Sequence, residues 1–198
     1  MPRLPELQVP QAYHLALAQM VANTSWLPNP NVVKALERAV FPTVRRRRNH
    51  AMFSHVVENG LPIGMYDDNA TPAWALLWSH GITGRRKGWT VAHVWPETDC
   101  MQSFTHVANL ALIPECFGTL TDKTGPLTTF LRWHAWHVYH WKPTQYAEPT
   151  KSEGYDSITW RYFEKVPNPK ALILARLKKL SNRRTRILLP IMESHEQQ

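Results

Sequence analysis

Residues 88–123, GWTVAHVWPETDCMQSFTHVANLALIPECFGTLTDK, constrain this chain more tightly than any other stretch. A short apolar run ends at His93, and Pro96 follows three residues later. A polar, irregular connection then reaches Asn109, which opens a second apolar run over residues 109–114. A short helix-like segment closes the unit at Thr121-Asp122-Lys123. Short apolar runs bounded by turn residues and Pro read as strands, so the order is strand, loop, strand, helix.

The flanking sequence supplies mixed elements. Residues 6–22 fit a helix loosely, and Pro28-Asn29-Pro30 breaks the chain because Pro restricts itself and its predecessor. Asn31 is placed to cap a helix through about Val40. Met52–Val57 and Leu61–Tyr66, joined by Asn59-Gly60, predict a β-hairpin with a type I′ turn. Pro62 points to an edge position for the returning strand. Thr71-Pro72 predicts a helix over Ala73–Ser79. Helices are expected at about Leu127–Trp141 and Pro169–Leu180, with a linker over Lys142–Gly154, a strand over Ser157–Phe163 and a short apolar return at Ile187–Met192. The expected organisation is an N-terminal helical segment (1–44), a core with hairpin and following helix (45–145), and a basic C-terminal extension packed on the same domain (146–198).

The chain of 198 residues carries a formal charge of +8, which favours a polyanionic partner, with nucleic acid the commonest. The densest cationic runs are Arg45, Arg46, Arg47 and Arg48, and then Lys178, Lys179, Arg183, Arg184 and Arg186. Arg85, Arg86 and Lys87 directly precede the first strand of the 88–123 unit. Such residues neutralise phosphates, and the resulting affinity falls with salt. Two cysteines, Cys100 and Cys116, give neither a disulfide scaffold nor a Cys-rich zinc site. No run is long and apolar enough for a membrane span and no secretory leader pattern is present, so the expectation is a cytoplasmic, intracellular protein, nucleoid-associated if bacterial or phage. No phosphate-binding Gly loop and no GxSxG elbow occurs.

The 88–123 unit resembles the HNH, or ββα-metal, endonuclease superfamily. The likeness rests on His93 at the strand end, Trp95-Pro96 after it, Asn109-Leu110 opening the second strand, and Leu120-Thr121-Asp122 closing the helix. It covers about a fifth of the chain. The resemblance implies an α+β fold with a small ββα-metal core at about 88–123, a β-hairpin and surrounding helices. It further implies a metal-dependent endonuclease hydrolysing phosphodiester bonds of DNA, of restriction, homing or phage type. His93 would be the general base, since a neutral imidazole can take a proton from water. Asn109 would orient it, and Asp122, thirteen residues on, would hold a divalent metal, Mg²⁺ first, with Mn²⁺, Ni²⁺ or Zn²⁺ as alternatives. The chain departs from the family at Ala92, where an Asp or His usually binds the metal, and at Gly118. Asp99 is the first alternative donor, with Glu97, His106 and Asp67/Asp68 behind it. A palindromic target would call for a homodimer.

Two other functions compete. Ala92 and Gly118 favour a catalytically silent nucleic-acid-binding protein on the same scaffold. Nine Trp would suit a phage-type inhibitor that binds a protein partner. His134, His137 and His140 share one flank of the predicted 127–141 helix, but no Cys or acid lies nearby in sequence to complete a tetrahedral set, so this helix reads as one packed by its aromatic rings.

Overall fold

The structure, a computed structural model, describes residues 10–84, 87–121 and 125–196. It is a mixed α+β arrangement of seven helices and five strands among these residues. Helices α1 (Gln11–Thr24) and α2 (Pro30–Leu36) open the chain. Asn29, not Asn31, caps α2: its side chain accepts from the Asn31 amide at 3.0 Å, with Pro30 in the first helical position.

Strands β1 (Thr43–Arg45), β2 (His55–Glu58) and β3 (Leu61–Asp67) form one sheet in the order β1-β3-β2. β2 and β3 are the hairpin expected from Asn59-Gly60, both of which take positive φ (50° and 79°), as a type I′ turn requires. β3 is central rather than an edge strand, because β1 pairs with it in parallel. Pro62 is tolerated there because β1 reaches only Met65–Asp67, leaving the Pro62 end with a partner on one side. Helix α3 (Ala70–Trp78) follows.

Strands β4 (Trp89–His93) and β5 (Leu110–Pro114) pair antiparallel, with His93 opposite Leu110 and Trp89 opposite Pro114. Both faces of this ribbon are buried, which explains its nearly continuous apolar sequence. Val91, Leu110 and Leu112 face a core shared with α2, α3 and the C-terminal helices through Val32, Leu76, Ile173, Leu177 and Leu188. Ala92, Ala111 and Ile113 face a second core with Ala18, Val21, Phe130, Leu131 and Trp160. Trp26 bridges to Leu112 and Leu27 to Tyr162, so the 26–27 segment is stitched between β5 and the 160–163 stretch. The 160–163 stretch forms this bridge only, not the expected full strand.

A 3₁₀ helix, Glu115–Thr121, follows β5. Positions three apart eclipse in such a helix, so Gly118 aligns with Thr121. Helices α5 (Thr128–Tyr139), α6 (Pro169–Lys178) and α7 (Arg183–Glu196) complete the chain, and the short α4 (Met101–Phe104) lies within the β4–β5 connection. The stretch expected as a short apolar return is α7, which carries Pro190 inside it. No helix among the described residues is long and apolar enough to cross a membrane.

Candidate nucleic-acid interface

His93 ends β4, where its imidazole stacks on Phe104 at 5.4 Å with the planes 4° apart. Its Nε2 lies 3.0 Å from the Phe104 carbonyl. A carbonyl only accepts, so Nε2 donates and Nδ1 keeps its lone pair. Burial lowers the ring's pKa to about 4, with Arg45 adding to the shift. The ring is therefore neutral at pH 7 with its tautomer fixed, although the residue keeps some exposure.

Asn109 is fully buried and holds the connection that carries Phe104. Its Oδ1 accepts from the Trp95 amide at 2.8 Å, and its Nδ2 donates to the Ser103 carbonyl at 3.0 Å. Asn109 thus ties both ends of the 95–103 loop together. The hydrogen bonds of its side chain go to backbone atoms of the loop, so its link to His93 runs through Phe104 rather than through a hydrogen bond of its own. His106, another candidate donor, is buried against Trp141 at 4.4 Å, accepts from the Ala108 amide at 3.2 Å, and has its pKa lowered to about 4 by burial.

The basic runs meet in space. Arg45, Arg46, Arg47 and Arg48 are all exposed. The Arg45 amide donates to Thr98 in the β4–β5 connection at 2.8 Å, which seats this run beside His93. The Arg46 amide donates to the Asp67 carbonyl at 2.7 Å, and the Asp67 carboxylate accepts from Arg184 Nε at 2.8 and 2.9 Å. Residue 67 therefore joins the 45–48 run to α7, more than a hundred residues away in sequence. Arg183 and Arg186 are exposed there, with Lys178 and Lys179 at the α6–α7 corner. A cavity of about 320 Å³ opens beside the run, lined among others by Arg45, Arg47, His50, Tyr66 and Asp99.

Several expected site residues have other occupations. Arg184 is not a free phosphate contact: its side chain is 14% exposed, bonded to buried Asp67 and lying over Phe53 and Trp74. Asp99 is ion-paired with Arg47 rather than open to a metal. Lys87 is exposed but precedes Trp89, so the five-residue β4 separates it from His93 by roughly 13–17 Å of extended chain. Arg85, Arg86 and Asp122 lie outside the described residues. Ala92 is buried in the second core, so a larger ligating side chain there would point into packed apolar atoms. Among the described residues no three His, Cys, Asp or Glu side chains gather as a metal site.

The three histidines of the 127–141 helix serve different ends. His134 is buried between the Tyr155 and Tyr162 hydroxyls, at 2.8 and 3.2 Å. His137 stacks on Trp133, and His140 caps the helix with φ 52°. The residue that sequence reasoning passed over is Arg132, whose Nε donates to the Val94 carbonyl at 3.3 Å, next to His93. Its signal is a lone Arg on a helix whose other side chains are aromatic, apolar, His and two Thr. The chain matches no family model, no curated protein and no solved structure.

Proposed function

We propose that this is a nucleic-acid-binding protein built on an HNH-like unit, with DNA the preferred ligand and phosphodiester hydrolysis at His93 its activity. The observation that carries the reading is the convergence of the exposed 45–48 run and the α7 cations around Asp67, with Arg45 tied to the loop beside His93. A phosphate backbone laid along this face would be neutralised by side chains from both runs.

The chemistry follows from the His93 ring. Its Nδ1 takes a proton from water as the water oxygen forms a bond to phosphorus, a P–O ester bond breaks, and the leaving oxygen gathers a proton from solvent. A pKa of about 4 makes the free ring a weak base. An anionic phosphate beside it favours the protonated form and raises that value towards the working range. The Phe104 carbonyl keeps the proton on Nε2, so Nδ1 is the acceptor throughout. A divalent ion, Mg²⁺ first, would stabilise the charge on the leaving oxygen when bound, and Asp122, the residue the resemblance assigns to it, lies outside the described residues.

Plasmid DNA incubated with the protein and Mg²⁺, Mn²⁺, Ni²⁺ or Zn²⁺, with EDTA as control, tests this directly. His93→Ala should abolish nicking while leaving DNA affinity within about twofold, since the phosphate contacts lie elsewhere. Cutting that survives His93→Ala sinks the assignment of the base. A second reading, a binding protein without catalysis, is favoured by Ala92 lying in a packed core. It predicts no cutting under any condition, with binding that weakens steeply in salt.

A further inference from the structure

We infer that Arg132 is a further phosphate-binding residue of this site, facing the backbone of the bound nucleic acid from α5. The inference rests on the nucleic-acid reading above and adds to it a residue in neither basic run.

Arg132 is half-buried on α5, and its Nε donates to the Val94 carbonyl at 3.3 Å, one residue beyond His93. That bond fixes the guanidinium at the mouth of the β4–β5 connection and leaves both terminal nitrogens without a hydrogen-bond or salt-bridge partner among the described residues. The carboxylate in this neighbourhood, Glu97, accepts the Tyr146 hydroxyl at 2.6 Å, and the guanidinium lies 5.8 Å from that same tyrosine ring. Glu97 is thus engaged by a neutral donor rather than by the cation. Burial lowers the pKa of Arg132, as expected for a desolvated cation lacking a counter-charge.

Such an arrangement is costly in isolation and is relieved by an anion. Arg presents a planar fork that meets two phosphate oxygens at once, and with Nε already anchored the remaining donors are pre-oriented. Arg184 shows the contrast within the same molecule: its guanidinium is satisfied by a buried carboxylate, and it is structural. Arg132 has the burial without the carboxylate. A nucleic-acid backbone crossing the mouth of the β4–β5 connection would meet the Arg132 guanidinium in addition to the 45–48 run.

The test is fluorescence anisotropy of a short labelled DNA duplex titrated with wild type, Arg132→Ala, Arg132→Lys and Arg132→Gln over a range of salt, with the thermal midpoint of each variant. Arg132→Ala should bind about tenfold more weakly at low salt and lose about one unit from the slope of log affinity against log salt, the signature of one phosphate contact removed. Arg132→Lys, which keeps the charge, should recover the slope. If Arg132 only braces the Val94 carbonyl, all three variants will melt earlier while the slope stays at the wild-type value, and the inference is overturned. Should Arg132→Ala fail to fold, the Lys-against-Gln comparison carries the same decision, because only the charge differs in its effect on slope. Wild-type protein that shows no salt-dependent binding overturns the nucleic-acid reading itself, an outcome distinct from intact binding with an unchanged Arg132 slope.

Discussion

Arg184 stands in a run of cations that sequence presents as surface charge, yet its guanidinium is held between the Phe53 and Trp74 rings, at 4.8 and 4.9 Å, and bonded to a carboxylate with no exposure at all. Burial pushes the Asp67 carboxyl up, and the Arg184 guanidinium pulls it down; burial is the stronger of the two. A pair of this kind adds little over an apolar replacement, but removing one member strands the other. Arg184→Ala should therefore destabilise the protein by about 3–5 kcal/mol, read from urea unfolding, whereas the exposed Arg183→Ala should cost less than about 0.5 kcal/mol. Near-equal effects of the two substitutions would show that the buried pair is not holding α7 to β3. Nothing in the sequence separates Arg184 from its neighbours in the run, because the distinction depends on a carboxylate more than a hundred residues away.

Elements that depend on local chemistry were legible, and those that depend on distant partners were not. Asn59-Gly60 specifies its hairpin through two positive φ values, and Val91, Ala92, Leu110 and Leu112 lie in strands that their apolar patterning predicts. β1 was missed because three residues beside a cationic run carry no strand pattern; they become a strand only by pairing with β3. Ile187–Met192 reads in the sequence as a short apolar return, but it lies within α7, which is helical over Arg183–Glu196 with Pro190 inside it. At the candidate site, His93 and Asn109 were legible as types at a spacing. That Asn109 acts on backbone was not, since its partners at residues 95 and 103 depend on how the loop closes. Gly64 gives a test at this level. A Cβ there would lie 2.5 Å from Met101 Cε and 2.7 Å from the Pro42 carbonyl. The methionine can swing aside, but the carbonyl belongs to the segment leading into β1. Gly64→Ala should cost about 1–3 kcal/mol, seen as a lower urea midpoint. An unchanged midpoint would mean that β1 moves freely against β3.

The molecule as a whole is expected to be sensitive to acid. His80 and His106 have pKa values lowered to about 4 and His134 to about 3, all chiefly by burial. Unfolding returns each to its ordinary value near 6.5. Below that pH the unfolded chain binds protons that the folded chain refuses, so stability is fully present above about 6.5 and is lost as pH falls towards 4. Each ring accounts for on the order of 3 kcal/mol across that window. The urea midpoint should be flat from pH 8 to 7 and should fall steeply between pH 6.5 and 4.5. A flat profile through pH 5 would show that these rings are solvated.

The seam at Trp26 and Leu27 has a bearing on how the chain is made. Leu112 lies on one side of it, and Arg161 and Phe163 on the other, through backbone bonds of 2.8–2.9 Å. During synthesis the first of these partners emerges long before the second. The 26–27 segment can dock on β5 once about half the chain has left the ribosome, but its outer edge stays unpaired until residue 163 follows. For that interval the nascent protein presents an open strand edge beside a half-built core, a template on which a neighbouring chain could pair. The closing stretch at 160–163 works as the chain's own late-arriving guard against association with its copies.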